Sequence, residues 1–112
     1  MVVPVIHDVY GYGEPSLGDQ PGELAEALGV EWVLHESDYR GPHFVARPPS
    51  GPNKLRLQSN DLHDADDGYH QEPDFPEYRF LLFVDNFERP DEVRTMLARL
   101  PQWRFLYRSV VE

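Results

Sequence analysis

The stretch "KLRLQ" at 54–58 alternates apolar and polar residues, with Leu55 and Leu57 on one side and Lys54, Arg56 and Gln58 on the other. A period of two predicts an antiparallel strand with one face buried and one facing water. "FLLFV" at 80–84, continuing from Tyr78, is apolar at every position. That predicts an interior strand covered on both sides. In "RPDEVRTMLARL" at 89–100 the spacing changes. Val93, Met96, Leu97 and Leu100 recur at helical intervals, which predicts a helix with one buried stripe. Pro90 suits its start, Asp91 and Glu92 its positive end, Arg99 its negative end, and Pro101 stops it.

The remaining segments are shorter. "MVVPVIHDVY" at 1–10 is β-branched and predicts a first strand, which Pro4 would confine to a sheet edge. Gly and Pro at 11–18 read as loop. "DQPGELAEALG" at 19–29 reads as a two-turn helix, capped by Asp19, with Pro21 in its first turn and Gly29 at its stop. Leu24, Ala27 and Leu28 form its apolar face. "VEWVLHESDY" at 30–39 predicts a strand with Trp32 and Leu34 inward. A turn at 40–42 leads to the return strand "HFVAR" at 43–47, and "PPSGPN" at 48–53 fits neither helix nor central strand. "WRFLYRSVV" at 103–111 closes the chain as a strand, with Trp103, Phe105 and Tyr107 expected on one face. The order predicts a single α+β domain over residues 1–112: a mostly antiparallel sheet with two helices packed on one face, ending in a β-α-β unit.

Composition agrees with a folded domain. The 112 residues are 40% hydrophobic, with six Phe, six Tyr and two Trp, enough for one modest core. No run approaches the roughly 20 apolar residues that cross a bilayer, and the N-terminal stretch lacks the basic start of a signal peptide. With no cysteine, disulfides, thiolate metal sites and cysteine nucleophiles are excluded. A soluble cytoplasmic protein is expected.

Charge changes the picture more. Twenty acidic residues against ten basic ones give a net charge of −10. Residues 1–78 hold fifteen acids and four bases (−11), whereas residues 79–112 hold five acids and six bases (+1). Such a field repels nucleic acid and anionic membrane and attracts basic proteins. It is most concentrated in "NDLHDADDGYHQEPDFPEY" at 60–78, where Asp61, Asp64, Asp66, Asp67, Glu72, Asp74 and Glu77 occur without a Lys or Arg.

Three readings of that stretch compete. As a calcium loop counted from Asp64, it has Gly68, Tyr69 and Phe75 at three positions where an EF-hand needs other residues. As a zinc site it would use His63 and His70 with Asp64 or Asp67, at a spacing unlike common sites, unless His7, His35 or His43 completed it. As a plain solvated excursion it would have little use for Leu62, Tyr69, Phe75 and Tyr78 or for Pro73 and Pro76. "EPDFPEY" reads instead as docked, with Phe75 as its anchor. The third reading is a partner-binding surface. Asp61, Asp64, Asp66, Asp67, Glu72, Asp74 and Glu77 would attract a basic protein, and Tyr69, Phe75 and Tyr78 would grip it. Glu31, Glu36 and Asp38 would extend that face.

Other chemistry is sparser. His7 and Asp8, with nearby Tyr10, Tyr12, His35 or His43, would be the residues of a small cytosolic enzyme, but adjacent strand residues point to opposite faces. "GYGEPSLG" lacks the third glycine of a dinucleotide loop, and no nucleophile-elbow, P-loop or zincin pattern occurs. Arg94, Arg99, Arg104 and Arg108 read as the solvent side of amphipathic elements. The expected function is therefore a non-catalytic acidic binding protein, without cofactor or metal, that neutralises a basic protein partner. Small size, acidity and lack of cysteine are what immunity or antitoxin-type inhibitors of bacterial toxin enzymes, and inhibitors that imitate nucleic acid, generally show. The alternatives are the His7/Asp8 enzyme and a metal-binding domain using His63 and His70.

Overall fold

A computed structural model of the chain describes residues 5–37, 41–46, 54–60, 75, 77–85 and 90–111. The elements run β1 (Val5–Tyr12), α1 (Gln20–Leu28), β2 (Val33–Ser37), β3 (Gly41–Ala46), β4 (Lys54–Ser59), β5 (Phe80–Asp85), α2 (Pro90–Leu97) and β6 (Arg104–Val111). All six strands join one sheet in the order β2-β3-β4-β5-β1-β6, and every neighbouring pair is antiparallel. The expected α+β domain is what forms. Its closing β-α-β unit is split: β5 and β6 both run antiparallel to β1 and hence parallel to each other, with β1 between them.

Both helices pack on one face. Leu24 of α1 and Val93 and Leu97 of α2 are buried with Tyr10, Tyr12, Leu55, Leu57, Leu82, Val84 and Trp103. Aromatic pairs stiffen this layer. Tyr12 stacks on Trp103 at 5.0 Å, and Tyr10 meets Phe105 edge-on at 5.4 Å. The indole Nε1 of Trp103 donates to Gln20 Oε1 at 2.8 Å, tying the chain just before β6 to the first residue of α1.

The opposite face, helix-free among the described residues, has its own smaller core of Val9, Leu81 and Phe83, against which Tyr78, Leu106 and Tyr107 pack. This explains why β5 is apolar on both sides. Leu81 and Leu82 are adjacent in sequence, lie in different clusters, and are both fully buried.

Several expectations are corrected. β1 is an interior strand, not an edge, paired with β5 on one side and β6 on the other; Pro4 itself lies outside the described residues. β1 also continues through Gly11 and Tyr12, which read as loop. Gly11 is required there because the Tyr78 ring lies against the strand: a Cβ at position 11 would sit 2.6 Å from Tyr78 Cγ. Tyr107 does not share the face of Trp103 and Phe105. A bulge in β6 pairs Val9 with Tyr107 and Tyr10 with Phe105, so Leu106 is an extra residue and the alternation shifts by one. Met96 is 40% exposed, because α2 ends at Leu97 and its buried contacts narrow to Val93 and Leu97. Leu34 is 56% exposed on the edge strand β2. Asp19 occupies the N-cap position of α1 but makes no side-chain cap bond, whereas Gly29 closes the helix in the left-handed conformation at φ 66°.

Candidate functional site

The acidic stretch leaves the sheet after β4 and rejoins it at β5, and the described residues at its two ends are tied together. Asn60 is fully buried. Its side-chain Nδ2 donates to the carbonyls of Phe75 at 2.9 Å and Tyr78 at 2.8 Å. Its backbone N–H donates to the Arg79 carbonyl, and the Arg79 N–H donates to the Tyr12 carbonyl, each at 2.9 Å. One amide thus closes the base of the stretch on β1, β4 and β5. Buried carbonyls of this kind need a donor, and an asparagine NH2 supplies two.

The expected docking of Phe75 is observed. Its ring stacks on Tyr107 of β6 at 5.9 Å and lies 6.4 Å from that of Tyr78. Together they lie over the core of the helix-free face. Glu77 is exposed beside them. Asp61, Asp64, Asp66, Asp67, Tyr69, Glu72 and Asp74 lie outside the described residues, as do His63, His70, Leu62, Pro73, Pro76 and Asp38. Glu14, Glu26 and Glu31 are exposed and have no ion-pair partner among the described residues.

His7 and Asp8 point to opposite faces, as alternation in a strand requires. Asp8, on the helix side, is fully buried and receives two hydrogen bonds from Arg108, Nε to Oδ1 at 2.8 Å and Nη2 to Oδ2 at 3.1 Å. Arg108 also reaches Asp91 Oδ1 on α2 at 3.0 Å. These bonds, first to Asp8 and then to Asp91, hold the guanidinium pKa above its usual value. The network joins β1, β6 and α2.

His7, on the other face, pairs with Asp85 through Nδ1 and Oδ1 at 2.9 Å and is partly exposed. Ser109 is its cross-strand neighbour on β6, so the row Asp85, His7, Ser109 runs across three strands. Those are the residue types of a hydrolytic triad, but Ser109 is not hydrogen-bonded to His7 among the described residues. His35 and His43 do not approach His7. They stack on each other at 5.8 Å across β2 and β3, and two strands separate β3 from β1, roughly 14 Å. Among the described residues no cluster of three or more His, Asp or Glu is placed to hold a metal ion. No helix among them is long and apolar enough to cross a membrane.

Two residues that sequence reasoning passed over matter most to this geometry. Asn60 read as merely the first residue of the acidic stretch, and Arg108 as one solvent-facing cation among four. No model of a known protein family matches the chain, and no curated protein matches it.

Proposed function

We propose that the protein is a non-catalytic binding protein whose acidic surface draws in and neutralises a basic protein partner, in the manner of an immunity or antitoxin-type inhibitor of a toxin enzyme. An inhibitor imitating the charge of nucleic acid is the same chemistry with a nucleic-acid-binding protein as target. The observation that carries this reading is the clamp at the base of the acidic stretch. Asn60 holds both ends of a segment with seven carboxylates, and Phe75 is seated on Tyr107 beside it. Charges tethered to a firm sheet at both ends lose less freedom on binding than charges on a free tail. The exposed Glu14, Glu26, Glu31 and Glu77 add to the same attractive field.

The test combines capture and kinetics. Affinity purification from the source cells should return a basic protein, and purified components should then associate quickly at low salt. Replacing Asp64, Asp66 and Asp67 together by Lys should slow association about tenfold or more at low ionic strength, with the difference shrinking as salt rises. Unchanged association would remove the acidic stretch from the contact surface. Loss of a hydrolytic activity on changing His7→Ala, with partner binding intact, would transfer the function to the Asp85–His7–Ser109 row.

A further inference from the structure

The helix side of the sheet holds a second feature, independent of the acidic surface. Between α2 and the start of β6 lies a cavity of about 140 Å³, lined by Tyr10, Arg94, Leu97, Trp103 and Phe105 among others. We propose that it binds a small carboxylate carrying a short apolar body.

Its polar groups point to that chemistry. The Tyr10 hydroxyl is buried and has no hydrogen-bond partner among the described residues. Buried hydroxyls are rarely left so. Burial first, and the Asp8 charge second, push its pKa up to about 12, so at neutral pH the phenol keeps its proton and offers a donor. Arg94 supplies the charge. Its guanidinium lies 4.3 Å over the Phe105 ring, which holds its plane and leaves its N–H edge for an acceptor. No carboxylate pairs with Arg94 among the described residues.

The surroundings limit the ligand's charge and size. The neighbouring Asp8, Arg108 and Asp91 network carries one net negative charge, which disfavours a ligand of more than one negative charge. A single incoming carboxylate is matched by Arg94, the one cation that lines the cavity among the described residues, whereas the second charge of a phosphate dianion has no cation there to meet. Leu97, Trp103 and Phe105 give apolar walls for an alkyl or aryl group. The volume equals roughly that of four or five waters in the liquid, enough for an isobutyrate- or benzoate-sized molecule.

The two tryptophan side chains give separate reporters. Trp103 lines the cavity with its indole N–H already committed to Gln20, while the Trp32 indole N–H donates to the Pro21 carbonyl. Titrating the full chain with isobutyrate and benzoate, followed by NMR, should move the Trp103 indole signal saturably and leave Trp32 in place. Isobutyramide and benzamide should bind at least about tenfold more weakly, since they lack the charge that Arg94 meets. Arg94→Gln, at an exposed position that leaves the fold intact, should abolish the preference for acid over amide. Tyr10→Phe, which keeps the ring contacts, should weaken acid binding several-fold. The proposal is overturned if Trp103 does not respond, if acid and amide bind alike, if Arg94→Gln changes nothing, or if inorganic phosphate binds more tightly than either acid.

Discussion

The two faces of the sheet solve the same problem by different means. One is covered by α1 and α2 and contains a large apolar layer fastened by the fully buried Asp8 carboxylate and its partner Arg108. The other carries no helix among the described residues, and a smaller core is overlain by Tyr78 and by Phe75, which reaches Tyr107, with the half-exposed His7–Asp85 pair as its ion pair. His7 and Asp8 are adjacent in the chain, yet one sits near water and the other in the interior. What differs is the environment, and environment decides how much a charged pair is worth.

The largest expected effect lies on the helix side. Arg108→Ala leaves the fully buried Asp8 carboxylate without its partner and should cost about 4 kcal/mol in chemical denaturation. Replacing Asp8 and Arg108 together by Leu should cost clearly less than the two single changes summed, because no buried charge is then stranded. If the single change costs under about 1 kcal/mol, the pair is not what fastens this side.

Leu82→Ala and Leu81→Ala compare the faces within one strand. Each removes a fully buried side chain and should cost about 3 kcal/mol. A Leu81→Ala cost below half that of Leu82→Ala would show that the cover over the helix-free face relaxes into the space.

Alkaline pH probes the helix side again. The Tyr10 pKa rises on folding from 10.0 to about 12, so its stabilising contribution is complete below pH 10 and fades as pH climbs toward 12. Unfolding followed across that window should show a loss of about 2 kcal/mol that Tyr10→Phe lacks.

On the other face, Asn60→Ala takes the side-chain donor from the Tyr78 carbonyl and leaves the Phe75 carbonyl with the Tyr78 N–H alone. It should cost about 2 kcal/mol and raise amide exchange at Tyr78 and Arg79. The smallest effect is expected for His7→Ala, under about 1 kcal/mol, as befits a pair near solvent. A larger loss there would erase the contrast with Asp8.

What the sequence disclosed follows the range of the interactions involved. The alternation at 54–58, the all-apolar 80–84 run and the Gly29 stop are local signals, and each element formed where they placed it. The Tyr107 error arose because a single inserted residue, Leu106, reverses every later side chain, and nothing within the strand announces it. Gly11 read as a break because its reason, the Tyr78 ring, is far away in the chain. Arg108 meets Asp8 across the whole domain, and Asn60 meets Phe75 and Tyr78 only once β4 and β5 are paired. Of the expected partner-binding residues, Phe75, Glu77 and Tyr78 are described, and all three lie at the base of the stretch.

The Leu106 bulge has a further effect on how molecules of this protein meet. β6 is an outer strand, and an outer strand with regular spacing invites a neighbour's backbone to line up along it and extend the sheet from molecule to molecule. With the third of its eight residues out of step, an incoming straight strand falls out of register partway and cannot complete its ladder. The same irregularity that turns Tyr107 toward Phe75 on the far side therefore also protects this rim against stacking into fibres.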